Sequence, residues 1–236
     1  MYHRRPPALS RSTFVLALAT LIGACDLPRD AGGTLNRVRH GTMRVGVVTN
    51  PPWANDSGAA ASGVEAQLAK ELATRLDAKV TWVRRPEAEM LLALHERELE
   101  LVIGGLTSSV PWQKEVAFTR SYYTDTIEVG APPGSVPPGA LAGRSVAVER
   151  GSAVAAELRT QGATPLPVDD VTKATGLVAA PTWRLARMGW STGGVVLQQE
   201  QHVLAAPPGE NAWLVEIERL LREHKSEIPT LLRANR

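Results

Sequence analysis

The sequence predicts an α/β protein of two lobes. Residues 43–103 alternate short β-type apolar runs with helical patterns in the order βαβαβ, which builds a mostly parallel sheet covered by helices. A proline- and glycine-rich break at residues 131–139 then separates this unit from a second one, which restarts with a strand-like run at 145–149. Length supports the division, since 236 residues can bury one large core or two smaller ones.

The chain begins with a different kind of segment. Arg4, Arg5 and Arg11 flank the start of an apolar run at residues 13–22, and small residues lead into the single cysteine, Cys25. That is the layout of an export signal. The run is about half the ~20 residues a membrane-spanning helix needs. Its end, Leu21-Ile22-Gly23-Ala24-Cys25, resembles the lipobox of bacterial lipoproteins, in which the signal is cut before a cysteine whose sulfur carries a diacylglycerol. The resemblance implies a signal peptide over 1–24, a lipidated Cys25 and palmitate-type acylation; the plainer reading is an ordinary secretory signal with a cysteine at the cleavage site. Pro-Pro-Ala after Arg4-Arg5 departs from a twin-arginine export pattern. In enteric lipoproteins an aspartate directly after the lipidated cysteine, here Asp26, implies retention at the inner membrane, on its periplasmic side.

Without residues 1–24 the chain retains 212 residues with 23 basic against 24 acidic side chains. The basic balance therefore belongs to the signal, and the remainder makes no electrostatic case for nucleic acid. With no other cysteine there is neither an internal disulfide nor a thiolate metal site, and stability must come from burial. The five histidines, His3, His40, His95, His202 and His224, lack metal-ligand spacing.

Residues 25–41 carry Pro, Gly, Asp and Arg without apolar periodicity and read as a tether, with order beginning near Met43. A strand at 43–48 leads to a helix at 62–76. There Val64, Leu68, Leu72 and Leu76 recur every four residues, Glu65, Lys70, Glu71 and Arg75 fall largely on other faces, and Ser62 with Glu65 makes a capping box. A strand at 79–83 follows, then a helix at 87–96 opened by Pro86 with Met90, Leu91 and Leu94 on its apolar face, then a strand at 99–103. Beyond the break, the strand at 145–149 runs through Gly151-Ser152 into a helix to about Gln161, and short apolar runs follow at 177–180 and 202–206. Asn211 is placed to cap an amphipathic helix burying Trp213, Ile217, Leu220 and Leu221; Ser226 caps a last one with Pro229 in its first turn.

Taken together, Arg44-Val-Gly-Val with Asn50-Pro-Pro-Trp53, Gly63 opening a helix, Leu101-Val-Ile-Gly-Gly-Leu-Thr107, Val116-Ala-Phe-Thr with Tyr122-Tyr123, and Leu141-Ala-Gly-Arg-Ser-Val-Ala-Val with Gly151-Ser152 resemble the family 3 periplasmic solute-binding proteins. The resemblance implies the type II periplasmic-binding-protein-like fold, with a hinge and an interlobe cleft. It places the first lobe at 42–125 and 201–236, the second at 126–200, and the crossings near Thr124 and Glu200. A monomer that takes a small-molecule ligand and needs no cofactor is expected.

Several positions are candidates for the cleft. The backbone amides of Gly151, Ser152 and Ala153 at a helix start suit an anion, with the Ser152 hydroxyl beside them; a plain strand-to-helix turn capped by Ser152 is the alternative. Gly105 and Thr107 follow a strand at the carboxyl edge where open α/β sheets bind ligands, and family members use a carbonyl and a hydroxyl at the matching positions. Asn50 and Trp53 match the loop whose aromatic packs over the ligand, though a Trp behind two prolines also works as a surface plug.

Two departures weigh against an ordinary α-amino acid as ligand. The arginine that forks onto the ligand carboxylate in the family's amino-acid receptors is Trp112 here, and Lys114 is no equivalent. The acid that holds the ammonium is also missing, because the strand at 177–180 runs into Pro181-Thr182-Trp183-Arg184. Trp53, Trp112 and Trp183 with Thr182 would instead favour a ring, an apolar chain or a cation, or Arg184 would neutralise an acid; packing of the lobes is the alternative role for the tryptophans. The short interval 169–176 marks a second lobe that looks trimmed.

Three functions fit. One is solute capture for an ABC-type permease, a second is a sensory or accessory lipoprotein reporting to a membrane partner, and the third is a dehydratase-like enzyme, which fold alone does not exclude. The chain shows no nucleophile elbow, no phosphate loop and no evident acid/base pair, since Glu87 and Glu89 open a solvated helix. A binding protein without catalysis is the expectation.

Overall fold

The computed structural model describes residues 30–56, 58–109 and 114–235. The export signal with Cys25, and Trp112, lie outside the described residues.

The expected βαβαβ unit is present as β1 (Thr42–Val47), α2 (Val64–Arg75), β2 (Lys79–Val83), α3 (Glu87–His95) and β3 (Leu101–Ile103), with β1 parallel to both neighbours. Strand periodicity divides the core. Along β3, Leu101 and Ile103 join the cluster under α2, while Val102 joins Met90, Leu91 and Leu94 of α3 on the opposite face. The sheet is completed by β4 (Ala117–Phe118) and β10 (Ala205–Ala206), both antiparallel additions, in the order β2-β1-β3-β10-β4.

The second sheet has the order β7-β6-β8-β5-β9. Here β6 (Ser145–Glu149) lies parallel to β7 (Thr164–Val168) and β8 (Val178–Pro181), and β5 (Tyr123–Gly130) runs antiparallel to β8 and β9 (Val196–His202). On one face Val146 and Val148 pack with Leu158 of α4 (Val154–Thr160); on the other Ala147 and Val178 pack with Leu185 of α5 (Thr182–Arg187). Between β7 and β8 stands a single 3-10 turn, Val171–Lys173, with Asp170 accepting from the Thr172 amide.

The chain passes between the sheets at β5 and at β9, which pair along their length with Thr124 opposite Gln201 and Asp125 opposite Glu200. After the return, α6 (Asn211–His224) and α7 (Ile228–Ala234) close the first lobe. Trp213 is fully buried there and donates its indole N–H to the Glu100 carbonyl at 2.6 Å, so the α6 face that the sequence marks as apolar also carries one satisfied polar contact.

Three local expectations change. Residues 25–41 are not all tether: order is already present at Asp30, and α1 (Thr34–Val38) buries Thr34 and Val38 against the first lobe. Two carboxylates from distant parts of the chain hold α1 there. Glu210 accepts from the Gly32 and Thr34 amides, and Asp30 accepts from the Leu35 amide and, at the start of α6, from the Trp213 amide. Burial opposes ionisation of Glu210, but those amides hold its carboxyl down to about 2. Asn211 is accordingly the first residue inside α6 rather than its cap, and Glu227 rather than Ser226 precedes α7. Nor is there a capping box at Ser62 and Glu65. Gly63 precedes α2 with no side-chain cap, and Glu65 turns inward to full burial.

Candidate functional site

Among the described residues the lobes enclose a cleft of about 690 Å³ with two walls and a floor, whose lining takes in the loop after β1, the β5–β9 crossing and the start of α4.

The first-lobe wall is set by a buried carboxylate. Glu65 accepts from the Gly104 amide at 2.6 Å, from the Gly105 amide at 3.0 Å and from the Tyr122 hydroxyl, which fixes the turn that follows β3. Burial pushes the Glu65 pKa up, and the Tyr122 and glycine donors oppose it. Asn50 donates its side-chain amide to the Gly104 carbonyl at 3.0 Å, so it ties the two loops of this wall together. Gly105 has φ +68, and a Cβ on it would lie 2.5 Å from Trp53 Cδ1 and 2.7 Å from Asn50 Nδ2. Only glycine fits that approach. Trp53 itself is 4% exposed and stacks on His202 with ring centroids 3.9 Å apart.

The floor is the β5–β9 crossing, with Asp125, Ile127, Glu200 and His202. Asp125 accepts from Trp183 Nε1 at 3.1 Å through one oxygen, while its other oxygen is buried without a hydrogen bond of normal geometry among the described residues. Burial pushes Asp125 up to about 6; the Trp183 bond and the Thr126 backbone amide oppose this, and nearby Glu200 adds to it. Burial also takes His202 down to about 4, against a small opposing influence of the Gly105 backbone, so its ring is neutral at neutral pH. Neither ring nitrogen is satisfied; Nε2 stands 3.9 Å from Asp125 Oδ2.

The second-lobe wall runs from Glu149 to Val154 and from Ala179 to Arg184. Its guanidiniums are engaged by the protein's own acids: Arg184 meets Glu149 at 2.7 Å, and Arg150 meets Asp169 at 2.7 Å. The Ser152 amide donates to the Glu149 carbonyl, and its hydroxyl accepts from the Val154 amide at 3.3 Å. Those bonds are the strand-to-helix turn of the plainer reading.

Of the residues singled out from sequence, Asn50, Trp53, Gly105, Gly151, Ser152 and Trp183 line the cleft. Thr107 lies beside the hinge, bridged by backbone to His202 and with its hydroxyl on Ser109 at 3.0 Å. Ala153 is exposed at the mouth, with Val154 taking its place in the lining. Thr182 faces an adjoining groove with Tyr123 and Arg233 instead. Trp53 and Trp183 line the cleft but are nearly buried: Trp53 stacks on His202, and Trp183 donates its indole N–H to Asp125 with the Arg184 and Arg187 guanidiniums 5.9 Å and 5.5 Å from its ring. Sequence reasoning placed none of Asp125, Glu149, Glu200 and His202 in the cleft, although Glu200 marked a crossing. The available signal was the unusually polar strand Gln198-Gln199-Glu200-Gln201-His202 opposite the Tyr122-Tyr123 segment.

The profile of the bacterial extracellular solute-binding proteins, family 3, matches residues 43–228. The chain belongs to this family. Solved structures of similar fold include an arginine-binding protein (ArgBP, P235GK mutant) from T. maritima, 24% identical with TM-score 0.53 over 84% of this chain and 96% of that one. The L-cystine solute receptor of Neisseria gonorrhoeae, in an unliganded open conformation, is 15% identical with TM-score 0.64 over 82% and 91%. An ancestral amino acid-binding protein described as a precursor of cyclohexadienyl dehydratase is 20% identical with TM-score 0.55 over 83% and 95%. At these identities the likeness is one of fold, the two-lobed type II binding fold. No curated protein sequence matches the chain. Family and structural neighbours are mainly binding proteins, and no described helix is long and apolar enough to cross a membrane.

Proposed function

We propose that this family 3 protein captures a small solute in its interlobe cleft and presents it to an ABC-type permease, while lipid on Cys25 holds it at the periplasmic face of the inner membrane. The observation that carries the capture reading is the cleft itself: walls from both lobes meet over a floor made of the two connecting strands, so rotation about β5 and β9 would open and close it. The lipid anchor rests on the Leu21-Ile22-Gly23-Ala24-Cys25 pattern, and the membrane assignment on Asp26.

The solute is not an ordinary α-amino acid. The family's forked arginine is Trp112 here, and the second-lobe cations are partly spent on the chain's own acids: Arg184 meets Glu149 through one terminal nitrogen, its buried Nε keeping no partner among the described residues, and Arg150 meets Asp169, while the helix-start amide of Ser152 is used internally. Six of the positions implicated by the family resemblance line the cleft; their part is to shape it, through Asn50 and Gly105 above all.

Thermal unfolding of the detergent-solubilised full-length protein tests the reading, read out against amino acids, organic acids, amines and sugars. A ligand of the folded state alone stabilises it by about 2.7 kcal/mol at a hundredfold excess over Kd. A shift with a compound that lacks the zwitterion supports the proposal. Shifts only with ordinary α-amino acids would refute the ligand assignment, and no shift with any class would refute capture.

A further inference from the structure

The floor of the cleft carries a charge arrangement that the chain's own cations do not neutralise. Asp125 on β5 and Glu200 on β9 are direct cross-strand partners, so their side chains leave the same face of the ribbon and both reach the cleft. Like charges placed opposite each other on neighbouring strands repel. The cleft lining holds three carboxylates, of Asp125, Glu149 and Glu200, against two guanidiniums, of Arg150 and Arg184. Arg184 is committed to Glu149 and Arg150 to Asp169 outside the lining. The surplus of negative charge therefore sits on the floor, at Asp125 and Glu200.

Hydrogen bonding points the same way. The Asp125 side chain is 5% exposed, one oxygen is held by Trp183, and the other is buried without a hydrogen bond of normal geometry among the described residues, the Thr126 backbone amide being the donor nearby. Beside it His202, its side chain 3% exposed, brings a neutral ring with one acceptor nitrogen and one N–H, its Nε2 3.9 Å from Asp125, too far for a hydrogen bond, so the ring does not satisfy the acid. Glu200 is half-buried, with the Gln198 side-chain amide on one oxygen at 2.8 Å. An under-satisfied buried carboxylate oxygen is a rare and unfavourable feature, and in a ligand cleft its natural complement is an N–H donor brought by the ligand. A metal ion is the poorer occupant, because no group of three His, Cys, Asp or Glu side chains converges among the described residues in a way that could hold one.

We infer that Asp125 and Glu200, with His202 beside them, form a subsite on the hinge strands for the cationic head of the ligand, a protonated amine or a guanidinium. This rests on the solute-capture reading and gives the solute its class: a small organic cation whose charged end descends to the floor and whose remainder lies between Asn50, Pro51 and the second-lobe wall. Because the subsite belongs to the two crossing strands, the ligand's charge relieves the repulsion at the place where the lobes are joined.

The test is calorimetric titration of the full-length protein in detergent with agmatine, putrescine and phenethylamine, with the neutral amides matched to them in size, and with the matched carboxylic acids. The expected result is binding of at least one of the amines or the guanidine, no binding of its matched amide, and a rise in Kd of tenfold or more in Asp125→Asn. Glu200→Gln, nearly isosteric at a half-buried position, should raise Kd severalfold by itself. Equal affinity for the amine and its amide, or unchanged Kd in both variants, would overturn the inference. Binding confined to acids or amides would also overturn it while leaving solute capture standing. Silence across all three sets would remove both.

Discussion

Replacing Asp125 by Asn should make the unliganded protein more stable above neutral pH, and the gain should vanish in acid. Burial holds the carboxyl at about 6, where an ordinary aspartate titrates at 3.8. That difference corresponds to about 3 kcal/mol of unfavourable ionisation in the folded state. Asparagine keeps an oxygen for Trp183 and removes the charge, but it also buries an unpaired amide, so about 1–3 kcal/mol of gain is expected at pH 8. Because the folded chain binds this proton more tightly than the unfolded one, the contribution favours the wild type as pH falls from 6 to 3.8, and the two proteins converge near pH 4. His202 acts in the opposite sense. Its pKa is lowered from 6.5 to about 4, so the unfolded chain takes up that proton first and stability is lost on acidification through this window, again by about 3 kcal/mol. In the wild type the two effects largely cancel; in Asp125→Asn only the loss remains. Urea unfolding at pH 8, 6 and 4 measures this directly. A variant less stable than wild type at pH 8, or a gap that does not close toward pH 4, would refute the account of a strained acid at the hinge.

Other changes have equally definite outcomes. Gly105→Ala places a methyl within 2.5 Å of Trp53 Cδ1 at φ +68 and should lower stability by about 2 kcal/mol or more, with a lowered thermal midpoint and lost ligand response. Glu65→Ala strands the Gly104 and Gly105 amides and the Tyr122 hydroxyl, and should lower stability by about 3 kcal/mol in chemical denaturation. Glu210→Ala removes the acceptor for the Gly32 and Thr34 amides and should release α1, seen as fast amide hydrogen exchange over residues 32–38 while β1 remains protected. Cys25→Ser should move the protein from the membrane to the soluble fraction after cell lysis; unchanged membrane association would refute the lipid anchor.

What the sequence conveyed followed physical visibility. The parallel unit was legible because Val64, Leu68, Leu72 and Leu76 repeat at helical spacing and β1 and β3 are short apolar runs between turn signals. The hinge strand β9 was not, because Gln198, Gln199, Glu200 and Gln201 give a strand no apolar alternation; it is ordered by pairing with β5, a contact between segments far apart in the chain. Glu65 looked like a solvated helix residue since its partners, Gly104, Gly105 and Tyr122, are brought to it only by folding. The helix α1 was hidden for a related reason: its acceptor Glu210 reaches it only by folding, and Asp30, five residues before Leu35, stands in a stretch of Pro, Gly, Asp and Arg without apolar periodicity. Gly105 and Asn50, by contrast, were readable from the family pattern, and the structure adds why each is there.

The fastening of α1 by Asp30 and Glu210 has a bearing on how the molecule stands in the envelope. Only four residues separate Cys25 from Asp30, a reach of about 18 Å even fully extended, against a body about 40 Å across. With the proposed acyl chains in the bilayer, such a protein cannot swing freely. Asp30 is secured beside Glu210 and Arg97, at the end of the first sheet where β1 and β3 begin, near Arg44 and Glu100. The cleft is at the other end, after Val48 and at Gly104 and Gly105. The first lobe would thus stand as a pedestal with its foot toward the membrane, and the second lobe would open and shut on the side away from the lipid.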